Sequence, residues 1–439
     1  MLDRQPAGSA RHQRIEVHQR RTIWLMSVRL AGVGKAYARV VASPTYFPLW
    51  LGQLLSSFGD TLHYIALVVL VFQLTGQGLF VAGLVAAEVV PVLVLGPVAG
   101  VIIDRFSRKA VLITADLFRA GLVLTLLWPQ GAWHAYVVAA GLAASNTFFN
   151  PTVQAVIPFL TTEEQRLAAN SVAWSTGRLV QILASAASGG LIAVLGTGPA
   201  FAINGASFIA SAVFIGTLRI PPHAGQLGGG SKRGLGSYFC DARDGLRFAR
   251  QDHFVSRLLL VQALASFATG ATGAMLVVLS ERHLHQPPAV FAWLIGAIGV
   301  GALIGPLIPN ALARDYRDAQ WLFVPYVIRG IGDVLLAVFT PLPIALALLF
   351  VYGLNTSTGM VVFNSTVQGA VPDLVRGRVF TLLDITWSAM RLLSLALGGL
   401  VVDAVGIQPV FWVGGVLLAT AGGLGLALLG GYDLRRSPA

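Results

Sequence analysis

Nine charged side chains lie inside long apolar stretches of this 439-residue chain. They are the acids Asp60, Glu88, Asp116, Asp333 and Asp384 and the bases Arg119, Arg178, Arg329 and Arg391. A charge in hydrocarbon costs at least about 2.5–3.5 kcal/mol by insertion scales, so each is expected to be paired or to do work. Asp116 and Arg119 are three residues apart, and Arg329 and Asp333 four apart, so each couple shares a helix face and reads as a structural ion pair. Asp60 has no such neighbour: Gly59 precedes it and His63 follows one turn on. A carboxylate shielded from water can load and release a proton, the step that coupling to a proton gradient requires. It could equally receive a cationic substrate, or be locked to Arg178 or Arg391 in a packing role. Glu88 is the second candidate, and His63 reads as a packed neutral side chain.

Amides accompany these charges: Asn146, Asn150, Gln154, Gln181, Gln262, Asn355, Asn364 and Gln368. Such groups bridge helices at about 0.6 kcal/mol each, and several could instead line a cavity. Trp174, Trp387, Phe148 and Phe149 offer faces on which an apolar molecule could stack. Other chemistries find no residues. The three lysines, Lys35, Lys109 and Lys232, lie in no G-x-x-x-x-G-K-[ST] pattern, so an ATP-driven pump is not expected. Neither G-x-S-x-G nor H-E-x-x-H occurs, which removes the common hydrolase signatures. A single cysteine, Cys240, allows no internal disulfide and no C-x-x-C site. The chain is read as a non-enzyme without cofactor or metal.

The elements that position these residues follow from composition. Hydrophobic residues make up 55% and charged residues 11%, against about 25% charged in soluble domains. The apolar runs are continuous rather than alternating, which indicates membrane-spanning helices and not a barrel. Twelve spans are predicted: 45–72, 79–103, 110–128, 133–158, 171–195, 199–218, 255–280, 289–312, 320–340, 343–368, 379–402 and 409–431. This gives an all-α membrane protein divided into an N-terminal segment (1–44), a six-helix bundle (45–218), a linker (219–254), a second six-helix bundle (255–431) and a tail (432–439). Residues 1–44 are Arg-rich and hold no long apolar core, so no cleavable signal peptide is expected there.

Of the 30 basic residues, 25 fall on the face shared by the termini, the 2–3 loop and the middle linker. One, Arg282, falls on the other, and four lie within spans. That asymmetry places both termini and the linker in the cytoplasm. It also explains the net charge of +11 without invoking nucleic acid. The linker opens with Pro221-Pro222 and Gly228-Gly229-Gly230. Beyond them Leu235, Phe239, Ala242, Leu246 and Ala249 recur at helical spacing, which predicts an amphipathic helix on the membrane surface.

The chain also repeats itself. FNPTVQAVIP (149–158) matches FNSTVQGAVP (363–372) at six of ten positions. Trp174-Ser175-x-x-Arg178 returns as Trp387-Ser388-x-x-Arg391, and Arg119 has a counterpart in Arg329. The offsets are nearly constant, so the two bundles are parallel repeats. That is a layout of secondary transporters, whose sites lie between repeats near the bilayer midplane.

Between spans 2 and 3 stands GVIIDRFSRK (100–109). Its Gly100-x-x-x-Asp104-Arg105-x-x-Arg108-Lys109 resembles the signature loop of the major facilitator superfamily, with Ser107 where the family usually has glycine. Gly59-Asp60, Ala115-Asp116-x-x-Arg119, Gly245-Leu246-Arg247-Phe248 and Val371-Pro372-Asp373-x-x-Arg376-Gly377-Arg378 resemble its macrolide and siderophore efflux branch. The resemblance implies the two-bundle fold of that family and a cavity lined partly by span 1, hence by Asp60. It also implies a latch in which Asp104 holds the entrance of helix 11 while the transporter faces outward, with Arg105, Arg108 and Asp384 beside it. In span 5, where the family's antiporters carry a Gly-Pro-rich run, this chain has Ala184-Ser185-Ala186-Ala187-Ser188-Gly189-Gly190, without proline.

The expectation is a monomeric secondary transporter of the inner or plasma membrane, exporting small amphiphilic, drug- or siderophore-like molecules against protons. Its candidate coupling or substrate residues are Asp60, Glu88, Arg178 and Arg391. Its candidate cavity residues are Asn146, Asn150, Gln262, Asn355 and Asn364. An importer or facilitator on the same fold, and a lipid scramblase, are the alternatives.

Overall fold

The computed structural model describes residues 37–220, 243, 245–306 and 319–430, with the backbone alone at 97–102, 104, 105, 319, 373 and 374. The described residues form twelve long helices: α1 (Phe47–Thr75), α2 (Gly78–Arg105), α3 (Arg108–Thr125), α4 (Ala132–Leu160), α5 (Glu163–Leu195), α6 (Gly198–Thr217), α7 (His253–Ala274), α8 (Phe291–Ile304), α9 (Ala319–Val338), α10 (Leu342–Ala370), α11 (Asp373–Val405) and α12 (Gln408–Leu429). Among the described residues nine helices are long and apolar enough to cross a membrane, and Pro288–Ile304 is a shorter apolar one. Helix α3 falls short because four of its eighteen residues are charged. Among the described residues there is no strand, as a lipid environment requires of a chain that does not close into a barrel.

Two helices begin well before their apolar stretches. Helix α5 starts at Glu163, where Thr162 and Gln165 form a reciprocal capping box and Glu163 and Glu164 occupy the first turn. Those groups satisfy the free amides of the helix end and complement its dipole. Helix α11 starts at Asp373, directly after Pro372. The seventh predicted span is interrupted: α7 ends at Ala274, and the chain continues through a short helix, Leu276–Val278, into a π-helical turn, Leu279–His283.

Each half packs in the same way. Helix α1 lies on α5 and α6, α2 on α4, and α3 on α4 and α6. Equally, α7 lies on α11 and α12, α8 on α10, and α9 on α10 and α12. Close crossings rest on glycine. Gly353 of α10 backs onto the Ile298 carbonyl of α8, Gly301 of α8 backs onto the Phe350 carbonyl, and Gly59 of α1 faces Asn204 and Ser207 of α6. Small residues let helix backbones approach where lipid supplies no hydrophobic drive for association.

The halves meet along two seams, α2 with α11 and α5 with α8. Both seams are tight at the end of the molecule opposite the chain termini. There Gly78 packs on Val402, Gly399 on Leu79 and Gly189 on Trp293, and the α5–α8 contact continues inward to Gly299 on Ile182. The small-residue run at 184–190 thus serves the α8 contact. One apolar core joins both halves at this far end, through Leu67 and Val71 of α1, Val81 of α2, Leu276, Phe291 of α8 and Val402 of α11. Toward the termini the cores separate. One is built around Val40, Tyr46, Leu112 and Phe149 of the first half, the other around Phe254, Val367, Val379 and Leu382 of the second.

The linker helix packs onto the second half. Gly245 faces the Arg378 carbonyl and Leu382 of α11, and Ala249 is buried. Leu246, expected on the apolar stripe, is 41% exposed. The inward face is set by Gly245, Phe248 and Ala249, because only glycine permits so close a backbone approach. Leu235, Phe239 and Ala242 lie outside the described residues.

Gly353→Leu would drive a side chain into the α8 backbone, an overpacking worth about 1–3 kcal/mol. Thermal unfolding of the detergent-solubilised protein is expected to shift down clearly. Gly369→Leu, on the same helix but with open space around it, is expected to leave the midpoint nearly unchanged.

Candidate functional site

All four intramembrane arginines rest on aromatic rings. The Arg119 guanidinium lies 3.9 Å from the Phe149 ring centre and 4.4 Å from that of Phe208. Arg178 lies 5.5 Å from Trp174. Arg329 lies 4.3 Å from Tyr352 and 6.0 Å from Tyr326, and Arg391 lies 5.0 Å from Trp387. The repeated Trp-x-x-x-Arg spacing sets ring and guanidinium one helical turn apart in both halves. The negative face of a ring attracts a cation most strongly where water is scarce.

Only one of the two expected helix-face ion pairs forms. Arg119 pairs with Asp116, and its other nitrogen donates to Asn146 Oδ1 at 2.8 Å. Both partners are buried, at 2% and 0% exposure. Arg329 instead donates to the Tyr352 hydroxyl at 2.7 Å. It makes no ion pair within 4.0 Å of Asp333, although both side chains are described. A phenol reaching over from α10 offers the guanidinium a ring face and a hydrogen-bond acceptor together, which a carboxylate one turn away does not. Arg178 donates to Gln181 Oε1 at 3.0 Å.

Asp60 therefore stands apart from the arginines. It accepts a long hydrogen bond, 3.5 Å, from Asn204 Nδ2 of α6 and pairs with neither Arg178 nor Arg391, although Arg119 lies within electrostatic reach. His63 is buried with both ring nitrogens unbonded, and its ring meets Phe201 edge-on at 5.4 Å. No hydrogen-bonded path joins it to Asp60 among the described residues. Glu88 of α2 lies within electrostatic reach of Arg391 of α11, and Tyr64 of α1 within reach of both. This small group bridges the two halves.

Cavities open on each half's inner side. In the second half, spaces of about 340 and 390 Å³ share Gln262, Tyr326, Arg329 and Trp387. Asp384 and Asn364 line the first, and Arg391 and Tyr352 the second. Gln262 donates to Ser266 Oγ at 3.3 Å and accepts from the Tyr326 hydroxyl at 3.2 Å. In the first half, about 420 Å³ is bounded by Trp50, Gln53, Gln154, Asn170 and Trp174. Each space is walled by one half alone, as expected of a cleft open toward the termini.

The other sequence candidates are dispersed. Asn146 is engaged by Arg119. Asn355 is buried at 8% exposure and donates back to the Val351 carbonyl, while Asn150 is exposed. Of the four latch residues, the side chains of Asp104 and Arg105 lie outside the described residues. Arg108 donates to the Ala155 carbonyl at 3.2 Å and stands 5.0 Å from the Phe159 ring. Asp384 is on the cavity wall. Lys109 ties the loop to the end of α6 through the Gly216 and Leu218 carbonyls, at 2.6 and 2.9 Å. Tyr64, Tyr326 and Tyr352 were not singled out from the sequence. Their signal was the set of arginines that need ring faces.

Two parallel six-helix halves closed at one end, with cavities on their inner walls, are the architecture of a transporter of the major facilitator superfamily. The chain belongs to the transmembrane secretion effector family, whose model matches residues 37–430. It is 26% identical over 387 residues to the uncharacterized MFS-type transporter YfiS of Bacillus subtilis, covering 85% of this chain and 90% of that protein. It is 24% identical over 384 residues to macrolide efflux protein A of Streptococcus pyogenes, covering 85% and 93%. With the multidrug efflux pump Tap of Mycolicibacterium fortuitum it shares 26% over 368 residues, covering 80% and 88%. Among solved structures it is similar to the nucleoside transporter NupG, with a TM-score of 0.70 at 16% identity over 87% of this chain and 99% of that one. A bacterial homologue of the lysosomal transporter Spinster, in an inward-facing and occupied conformation, gives a TM-score of 0.69 at 13% identity over 90% and 98%. At these identities the solved structures establish the fold. The protein is a multi-pass membrane transporter of small molecules and not an enzyme.

Arg119→Ala would leave Asp116 buried without its partner, a change that costs about 3–5 kcal/mol. Chemical unfolding is expected to register a loss of that order. The double variant Arg119→Met with Asp116→Leu, which removes both charges, is expected to recover most of it.

Proposed function

We propose that this protein is a proton-driven exporter of small amphiphilic molecules, working by alternating access as a monomer in the cell membrane with both termini in the cytoplasm. The observation that carries the reading is Asp60. It is an intramembrane carboxylate on a helix of the one-ended cleft, and it has no ion-pair partner within 4.0 Å among the described residues. A carboxylate so placed is free to alternate between a proton and a substrate contact. Glu88, with Tyr64 and Arg391 nearby, is the second titrating position, and it spans the seam that must open during transport.

Direction and substrate draw on the relatives. Two that match over most of their length are named as efflux proteins, for macrolides and for multiple drugs. The inner walls suit amphiphiles. Trp174, Trp387 and Tyr326 give ring faces, and Gln154, Gln262 and Asn364 give a few hydrogen-bonding groups among them. The basic residues clustered at the terminal end support a cytoplasmic position for that end, and on this reading the conformation described here faces inward. In the outward-facing state Asp104 would then hold the entrance of α11, where the positive end of the helix dipole favours an acid.

The test is uptake of a labelled macrolide and of a fluorescent amphiphile into inverted vesicles carrying an imposed pH gradient. Wild type is expected to accumulate at least one probe only when the gradient is present, and Asp60→Asn to lose most of that dependence. Gradient-dependent uptake unchanged in Asp60→Asn removes Asp60 from the mechanism. Uptake indifferent to the gradient favours a facilitator, and lipid flipping without solute flux favours a scramblase.

A further inference from the structure

The basic-residue census leaves one arginine, Arg282, on the face opposite the termini, where topology gives it no purpose. The structure places it at a junction between the halves. Helix α2 begins at Gly78, and the side chain of its own N-cap residue, Gln77, makes no capping bond. The cap comes from the other half. Asp403, in the last turn of α11, accepts from the Gly78 amide at 2.8 Å and from the Leu79 amide at 2.9 Å. Arg282, in the π-helical turn after α7, stands 3.7 Å from the same carboxylate. It donates to the Val402 carbonyl of its own half at 3.4 Å and to the Gly76 carbonyl of the first half. Its guanidinium is 6.0 Å from the Phe72 ring of α1. Val402 and Gly399 pack the same seam against Gly78, Leu79 and Ala82.

An acid in the last turn of a helix opposes that helix's own dipole. Asp403 is thus misplaced for α11 and well placed for α2, whose first amides point at it. The spacing of the signature loop also recurs here. Gly100-x-x-x-Asp104 closes α2, and Gly399-x-x-x-Asp403 closes α11. The two helices run antiparallel along one seam, so the C-terminal end of each lies at the N-terminal end of the other. The matching stretch of α5, Gly190-Leu191-Ile192-Ala193-Val194-Leu195, has no acid, and at that seam Gly189 packs on the Trp293 ring of α8.

We propose that Asp403 and Arg282 form the far-side latch of the transport cycle: Asp403 holds the far end shut by capping α2 across the halves, and Arg282 braces it from the carbonyl side. The α2–α11 seam then carries one acid cap for each state, Asp403 engaged when the terminal end is open and Asp104 when it is closed. This rests on the alternating-access reading above, but its test uses neither substrate nor pH gradient, so the two can fail separately.

The experiment measures distances between spin labels at Gln130→Cys and Phe339→Cys, in far-end loops of the two halves, in the full-length protein with Cys240→Ser, reconstituted in liposomes. Asp403→Asn is expected to raise the ratio of separated to closed far ends about tenfold, equivalent to about 1.4 kcal/mol. Arg282→Gln is expected to act in the same direction, less strongly, and decides the matter if Asp403→Asn does not insert. Exchanging the charges, Arg282→Asp with Asp403→Arg, keeps an opposite pair but puts a cation at the α2 amides. It is expected to stay shifted toward separation. Unchanged distances in Asp403→Asn or in Arg282→Gln overturn the latch, and closure restored by the exchange overturns the capping role.

Discussion

A charge inside a bilayer has to be answered by the protein itself, and this chain answers its arginines mostly with rings. One of four is matched by a carboxylate, Arg119 with Asp116. The others lie over Trp174, Tyr352 and Trp387. Rings satisfy a guanidinium without neutralising it, and they leave the nearby acids uncommitted. Asp60, Glu88, Asp333 and Asp384 make no ion pair with another described residue. A transporter needs that separation. Carboxylates bound to fixed cations would stabilise the fold but could not exchange partners during a cycle.

The second constraint is how the halves hold together. Their seams set glycines against larger side chains such as Val402, Leu79 and Trp293, and the apolar core is shared at one end and divided elsewhere. Such an arrangement favours rocking about a seam over gradual deformation, because packed interiors resist continuous strain. The same repeat geometry explains why equivalent positions do equivalent jobs. Arg119 and Arg329 each reach from the third helix of a half to its fourth, and each tryptophan one turn before an arginine supplies its ring.

Much of this was legible in the sequence, for reasons that differ by element. Hydrophobic runs located every membrane helix, since lipid leaves the backbone few options. They misplaced the starts of α5 and α11: a polar capping box sustains the first turn of α5, and α11 begins directly after Pro372, so neither start is marked by apolarity. The repeat was visible because Trp-Ser-x-x-Arg and Phe-Asn-x-Thr-Val-Gln survive in both halves. The Asp116–Arg119 pair was readable from spacing. The parallel inference for Arg329 and Asp333 failed because a residue 23 positions away, Tyr352, competes for the arginine, and spacing along one helix cannot reveal a partner on another. Arg282 and Asp403 are far apart in the chain, so no local pattern connects them.

The link between α1 and α2 is two residues long. Gly76 takes the left-handed conformation, φ 65°, that ends α1, with its amide bonded to Phe72, and Gln77 begins the next turn. A hinge that brief has no slack. Helix α1 carries Asp60 and α2 carries Glu88, so the two carboxylates sit on helices joined by one short elbow. A displacement at that end of the molecule enters both helices at once, about four turns from Asp60 and about three from Glu88.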